Sequence, residues 1–140
     1  MKTFFLTMLF LTQTLLSPAS QAENFVYNQD SAVITKYGDY AFKAVRKPEI
    51  LKAIREVDPS FKTREIETSF PTKVTKVDGR IIVIFGGCTP HNCGDTGTTI
   101  FIEDATKKTY LIKQDGDSYR IFGTPDQKMK EMMINFFETQ

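Results

Sequence analysis

The sequence predicts a single α+β domain: an antiparallel β-sheet of about five strands flanked by helices, with a disulfide-closed loop protruding from it. Three observations carry this. Apolar residues recur at helical spacing in the first third of the chain and again at its end. From Thr72 onward, segments of strand character alternate with polar turns, two of which contain Asp-Gly. Two cysteines, Cys88 and Cys93, interrupt that strand region. At 140 residues, 41% hydrophobic and 25% charged, the composition suits one ordinary globular domain and excludes a disordered or collagen-like chain.

Residues 1–22 stand apart. Lys2 is the only charge before Glu23, Phe4 to Leu16 is mostly apolar, and Ser20-Gln21-Ala22 places small residues at both key positions of a cleavage site. This is the pattern of a secretory signal peptide, and its apolar run is too short to span a bilayer. The working domain is then residues 23–140, in which no membrane span is expected. Its opening is the least regular part. Val33, Tyr37, Ala41 and Val45 share a helical spacing that Gly38 interrupts, and one helix is placed within Asp30 to Arg46. Pro48 to Val57 is a clearer helix: Pro48 suits a first helical position, Glu49 lies in the first turn, and Ile50, Leu51, Ile54 and Val57 share a face. Asp58-Pro59 stops it.

Lys73 to Val77 and Arg80 to Phe85 flank Asp78-Gly79, a strong hairpin signal. The continuous apolar run Ile81 to Phe85 fits a central strand. Thr98 to Glu103 follows the cysteine loop, Asp104 to Lys108 is a polar turn, and Thr109 to Lys113 and Tyr119 to Phe122 flank Asp115-Gly116. A final helix is expected to be capped by Thr124 and started by Pro125, with Gln127 completing a capping box. Its stripe of Met129, Met132, Met133, Phe136 and Phe137 reads as core and not as a ligand groove.

Once Lys2 is removed, 17 basic residues face 17 acidic ones. Neither a basic nucleic-acid footprint nor an acidic tail is present, so a partner is found by shape and local chemistry more than by long-range steering. His91 is the only histidine. Catalytic triads and multi-histidine metal sites therefore depend on one residue or do not exist, and no cofactor is expected.

The informative stretch is Gly86-Gly87-Cys88-Thr89-Pro90-His91-Asn92-Cys93-Gly94. In an exported chain the two cysteines should form a disulfide within the loop. In the chain-entropy account so small a ring adds only roughly 2 kcal/mol to the whole fold, but it fixes the shape of one loop, with Pro90 restricting it and the flanking glycines allowing sharp entry and exit. Zinc would need a fourth ligand beside Cys88, His91 and Cys93. Haem attachment would need His where Gly94 stands, and a thiol oxidoreductase usually carries closer cysteines at the start of a helix. Asp95, Glu103 and Asp104 lie nearby in sequence and read as solvated turn charges. Two readings stay open on the residues alone: a structural disulfide with an incidental exposed His, or a rigid recognition loop whose preorganisation lowers the cost of binding.

The loop resembles the inhibitory loop of the Ivy proteins, exported inhibitors of vertebrate, c-type lysozyme found in Gram-negative bacteria. Their usual form is Cys-Lys-Pro-His-Asp-Cys, and Cys88, Pro90, His91, Cys93 and Gly94 match the family pattern. Pro71 falls where the family often has a proline opening the preceding strand, and the match is best over Pro71 to Lys113. Thr89 replaces the family's Lys and Asn92 its Asp, so the loop carries no formal charge unless His91 is protonated.

The resemblance implies a periplasmic inhibitor and no enzyme. The loop would enter the lysozyme cleft, where a protonated carboxyl and an ionised one perform glycan cleavage. His91 would reach those two carboxylates, Cys88 and Cys93 would hold the loop, Pro90 would stiffen it, and Asn92 would orient His91. Charge-assisted hydrogen bonds of this kind are strong. Two other functions fit the same context: a modulator of the cell's own lytic transglycosylases, which share the glycan substrate, and a thiol-disulfide oxidoreductase. The resemblance also allows a homodimer.

Overall fold

The computed structural model describes residues 24–139; the predicted signal peptide lies outside them. Helix formation begins where the sequence can cap it. The Asp30 carboxylate accepts the backbone N–H groups of Ala32 (3.0 Å) and Val33 (3.1 Å), opening α1 (Ser31–Tyr37). Gly38, at φ 109°, ends it in a conformation that a side chain would strain. The chain re-enters helix as α2 (Ala41–Ala44). The single helix expected within Asp30 to Arg46 is therefore two, but the spacing points one way throughout. Tyr37, Ala41 and Val45 are buried in one cluster, with Val33 packed against it. The third helix, α3 (Pro48–Val57), adds Ile50 and Ile54 to that cluster. Beyond it, Asp58 is buried, accepts from Ser60 (2.8 Å) and is paired with Lys113, which also meets Glu65 at 2.8 Å. Burial alone would raise the Asp58 carboxyl; Lys113 and Ser60 outweigh it and hold it below the usual range.

The sheet is an antiparallel meander of β1 (Thr68–Val77), β2 (Arg80–Cys88), β3 (Thr96–Glu103), β4 (Thr109–Asp115) and β5 (Ser118–Phe122), paired in chain order. Asp78 and Gly79 have φ 50° and 75°, the left-handed pair that a two-residue hairpin turn needs. The first strand starts at Thr68, earlier than the expected Lys73, and Pro71 does not open it. The proline sits inside the strand at a register irregularity between Phe70 and Lys73, where its missing N–H costs no ladder bond.

Both faces of this sheet are covered. Val83 and Phe85 pack beneath α1 to α3 with Ile100, Ile102 and Leu111. Ile82 and Ile84 point the other way, to Phe101, Ile112 and the Met and Phe stripe of α4 (Gln127–Thr139). This double burial explains the unbroken apolar run of β2, which lies between β1 and β3. The last helix is capped differently from the sequence expectation. Asp126, not Thr124, accepts the Met129 N–H (2.9 Å), and Arg80 pairs with Asp126 at 2.9 Å. A carboxylate suits the positive end of a helix, and the distant arginine favours it over the capping box. Gln127 instead reaches Glu131 at 3.2 Å. Among the described residues no helix is long and apolar enough to cross a membrane.

Asp104 anchors α1 to the β3–β4 turn. One carboxylate oxygen accepts from Lys36 (2.9 Å), Tyr37 (2.8 Å) and Lys107 (3.3 Å). Lys36 and then Tyr37 hold this carboxyl down to about 2, against the opposing effect of burial. A carboxyl depressed in the folded state stabilises the protein above its unfolded value, near 3.9, and that contribution is lost as pH falls through the folded value. The melting temperature should therefore drop between about pH 4 and pH 2. Asp104→Asn should cost about 1–2 kcal/mol at neutral pH and flatten that acid drop. An equally steep drop in the variant would place the acid sensitivity elsewhere.

Candidate functional site

The connection between β2 and β3 brings the sequence-predicted site residues Cys88 to Cys93 into one small ring, with Gly94 directly after it. Cys88, the last residue of β2, is disulfide-bonded to Cys93, with Cα atoms 5.0 Å apart. Within the ring the Asn92 N–H donates to the Thr89 carbonyl at 3.0 Å, closing a four-residue turn. Pro90 holds its second position and His91 its third, at φ 69°. This is the pattern of a type II turn, whose third position usually goes to Gly or Asn because φ is positive. Histidine is among the residues that enter this region more readily than most, at a cost on the order of 1 kcal/mol.

The exit from the ring is fastened separately. The Asn92 carbonyl accepts the N–H groups of Asp95 (3.0 Å) and Thr96 (2.9 Å) and the Thr96 hydroxyl (3.0 Å). The Asp95 carbonyl then accepts the Gly116 N–H at 2.8 Å, tying the loop to the β4–β5 turn. Thr89 and Pro90 are half-buried, while His91, Asn92, Cys93, Gly94 and Asp95 are exposed. Among the described residues, neither the His91 ring nor the Asn92 side-chain amide has a hydrogen-bond partner within the chain. In the free protein, then, Asn92 acts through its backbone and its side chain does not hold His91. Both imidazole nitrogens are left to meet something else, as donor or acceptor.

The glycines around the ring have unequal roles. Gly94 has no positive φ, and a Cβ there would meet nothing within 4 Å, so the exit does not require glycine. The entry does. A Cβ on Gly86 would strike the Thr98 carbonyl and come within 2.9 Å of the Thr99 Cα; one on Gly87 would strike the Thr68 carbonyl and come within 2.9 Å of the Ser69 Cα. The base of the loop is thus squeezed between β1 and β3, a constraint set by strand pairing across the fold.

The nearby carboxylates do not join the ring's tip. Asp95 is exposed, as expected of a turn charge. Glu103 is buried beside Arg80 at 3.8 Å, and Asp104 is committed to the α1 anchor, so neither is a solvated turn charge. Both lie at the opposite end of β3, roughly 20 Å from the loop at about 3.3 Å per residue. Among the described residues no three His, Cys, Asp or Glu side chains converge as metal ligands would. Neither cysteine opens a helix, the setting that lowers a thiol's pKa for redox chemistry. What the site offers is an exposed imidazole on a turn inside a covalently closed ring.

The chain matches the family described as Inhibitor of vertebrate lysozyme (Ivy) over residues 48–139, from the start of α3 to the end of α4 and including the whole ring. No curated protein matches it.

Proposed function

The chain belongs to the Ivy family of lysozyme inhibitors, and from that premise we propose that it inhibits a c-type lysozyme by inserting the Cys88–Cys93 ring into the catalytic cleft. The observation that carries this reading is the presentation of His91: exposed, without a hydrogen-bond partner among the described residues, and set in a ring by a turn and a disulfide. A lysozyme cleft holds two carboxyl groups in different protonation states. An imidazole entering between them can donate to the ionised one and occupy the space of the scissile bond. The projecting peptide offers no glycosidic bond and so is not consumed. Preorganisation lowers the ordering cost, since the disfavoured backbone of His91 is adopted before binding. Thr89 and Asn92 leave the ring uncharged apart from the imidazole, so affinity rests on fit and hydrogen bonding more than on attraction between net charges.

The working site is an oxidising extracytoplasmic compartment, the periplasm, reached through cleavage of residues 1–22. Purified oxidised residues 23–140 should inhibit a c-type lysozyme in a cell-wall lysis assay with one-to-one stoichiometry. No inhibition of it, together with inhibition of a lytic transglycosylase, would move the target to the cell's own wall enzymes. No inhibition of either would overturn the reading.

The disulfide supplies a second test. In the chain-entropy account so short a loop stabilises by about 2 kcal/mol. Replacing both cysteines by serine should lower the melting temperature by roughly 5–10 °C while weakening inhibition at least about tenfold, because the ring's shape and not the fold is what the partner meets. A large fall in melting temperature with unchanged inhibition would make the bond purely structural.

A further inference from the structure

We propose that Thr96 is a positioning residue for His91, acting through the Asn92 carbonyl; this rests on the loop-insertion reading above. The chain of contacts is short. The Thr96 hydroxyl and backbone N–H reach the Asn92 oxygen at 3.0 and 2.9 Å, and the Asp95 N–H reaches it at 3.0 Å. That carbonyl lies in the Asn92–Cys93 peptide plane, next to the His91–Asn92 plane whose N–H closes the turn onto Thr89, so holding it fixes Asn92 ψ and keeps the chain behind His91 from swinging. The conformation being held is a disfavoured one, with φ 69° on a residue that has a Cβ, and such a residue stays put only when its surroundings over-determine it.

The disulfide constrains the ring from its base, and Pro90 constrains the near side of the tip. The far side, from Asn92 onward, is exposed. Among the described residues the Asn92 side chain has no hydrogen-bond partner there. Thr96 supplies a side-chain hydroxyl bond on that flank, and it does so from the first residue of β3, paired with Asp115 across the sheet. The tip is thereby referenced to the sheet itself. Threonine suits both tasks: its β-branched side chain fits the strand, and its hydroxyl reaches a carbonyl four residues back.

The test uses Thr96→Val, which keeps shape and strand propensity but removes the hydroxyl, and Thr96→Ser, which restores it. Wild type and His91→Ala run in the same lysozyme assay. Thr96→Val should inhibit roughly three- to tenfold less well than wild type, with Thr96→Ser within about twofold of it and melting temperatures alike. In the free protein, amide hydrogen exchange at Asn92 and Asp95 should accelerate in Thr96→Val and return in Thr96→Ser. Wild-type inhibition together with an equally potent Thr96→Val overturns the proposal. If wild type itself does not inhibit, the insertion reading fails, and the exchange measurement decides the positioning role alone: unchanged exchange in Thr96→Val overturns it.

Discussion

Replacing His91 by alanine is expected to weaken inhibition of a c-type lysozyme by at least about 2 kcal/mol, roughly thirtyfold, and to leave the fold intact. His91 is exposed, and among the described residues its imidazole has no hydrogen-bond or ion-pair partner, so its removal opens no buried cavity and leaves no orphaned polar group. Stability should therefore move only through the backbone. Alanine tolerates a φ of 69° less well than histidine does, which makes a small loss in melting temperature the expected direction. Glycine separates the two effects. His91→Gly relieves the strain but also discards the imidazole, so it should melt no lower than wild type and still inhibit poorly. His91→Asn keeps a residue at home in this conformation, with a shorter polar side chain, and should fall between them. If all three variants inhibited like wild type, the imidazole would not be the inhibitory group. The ring could then act only as a steric plug.

Much of this fold is legible in the sequence because its cues are local. Asp78-Gly79 demands a hairpin, and the apolar run of β2 demands burial on both faces. The misreadings arise where a distant residue chooses between local options. Thr124 and Asp126 are both good helix caps, and the choice falls to Asp126, whose carboxylate is paired with Arg80 on β2. Glu103 and Asp104 look like solvated turn charges until the fold brings Arg80, Lys36 and Tyr37 to them. The early start of β1 hides behind Pro71, a strand breaker that a bulge accommodates. The same division runs through the candidate site. Two cysteines around the only histidine can be read directly. The unequal glycines depend on the register of β2 against its neighbours, which short-range patterns do not contain. The left-handed His91 and the Thr96 contact are local, but a histidine at the third position of a type II turn departs from the residues that usually signal one.

That register makes Gly87 the position where one methyl group should do most harm. Neighbouring strands lie about 4.8 Å apart, and a side chain normally leaves the sheet perpendicular to its plane. At Gly87 the backbone is turned so that a Cβ would head into the Thr68 carbonyl, which belongs to the strand paired with it. A methyl group there must part the two strands where Thr68 faces Cys88 and Ser69 faces Gly87. Because β1 is an edge strand, its first residues can peel away, but Phe70 goes with them. Its ring packs against Phe136 at 5.8 Å, in the core beneath α4. Gly87→Ala should therefore cost about 3 kcal/mol or more, from overpacking and lost pairing together. It should also weaken inhibition, since Cys88 is one foot of the ring and Thr68 is its partner across the strand pair. Gly94→Ala is the control within the same loop: with nothing near its Cβ and no positive φ, it should melt like wild type. Equal melting temperatures for Gly87→Ala and Gly94→Ala would show that β1 does not press on the base of the loop, and the rigidity of the ring would then have to come from the disulfide and the turn alone.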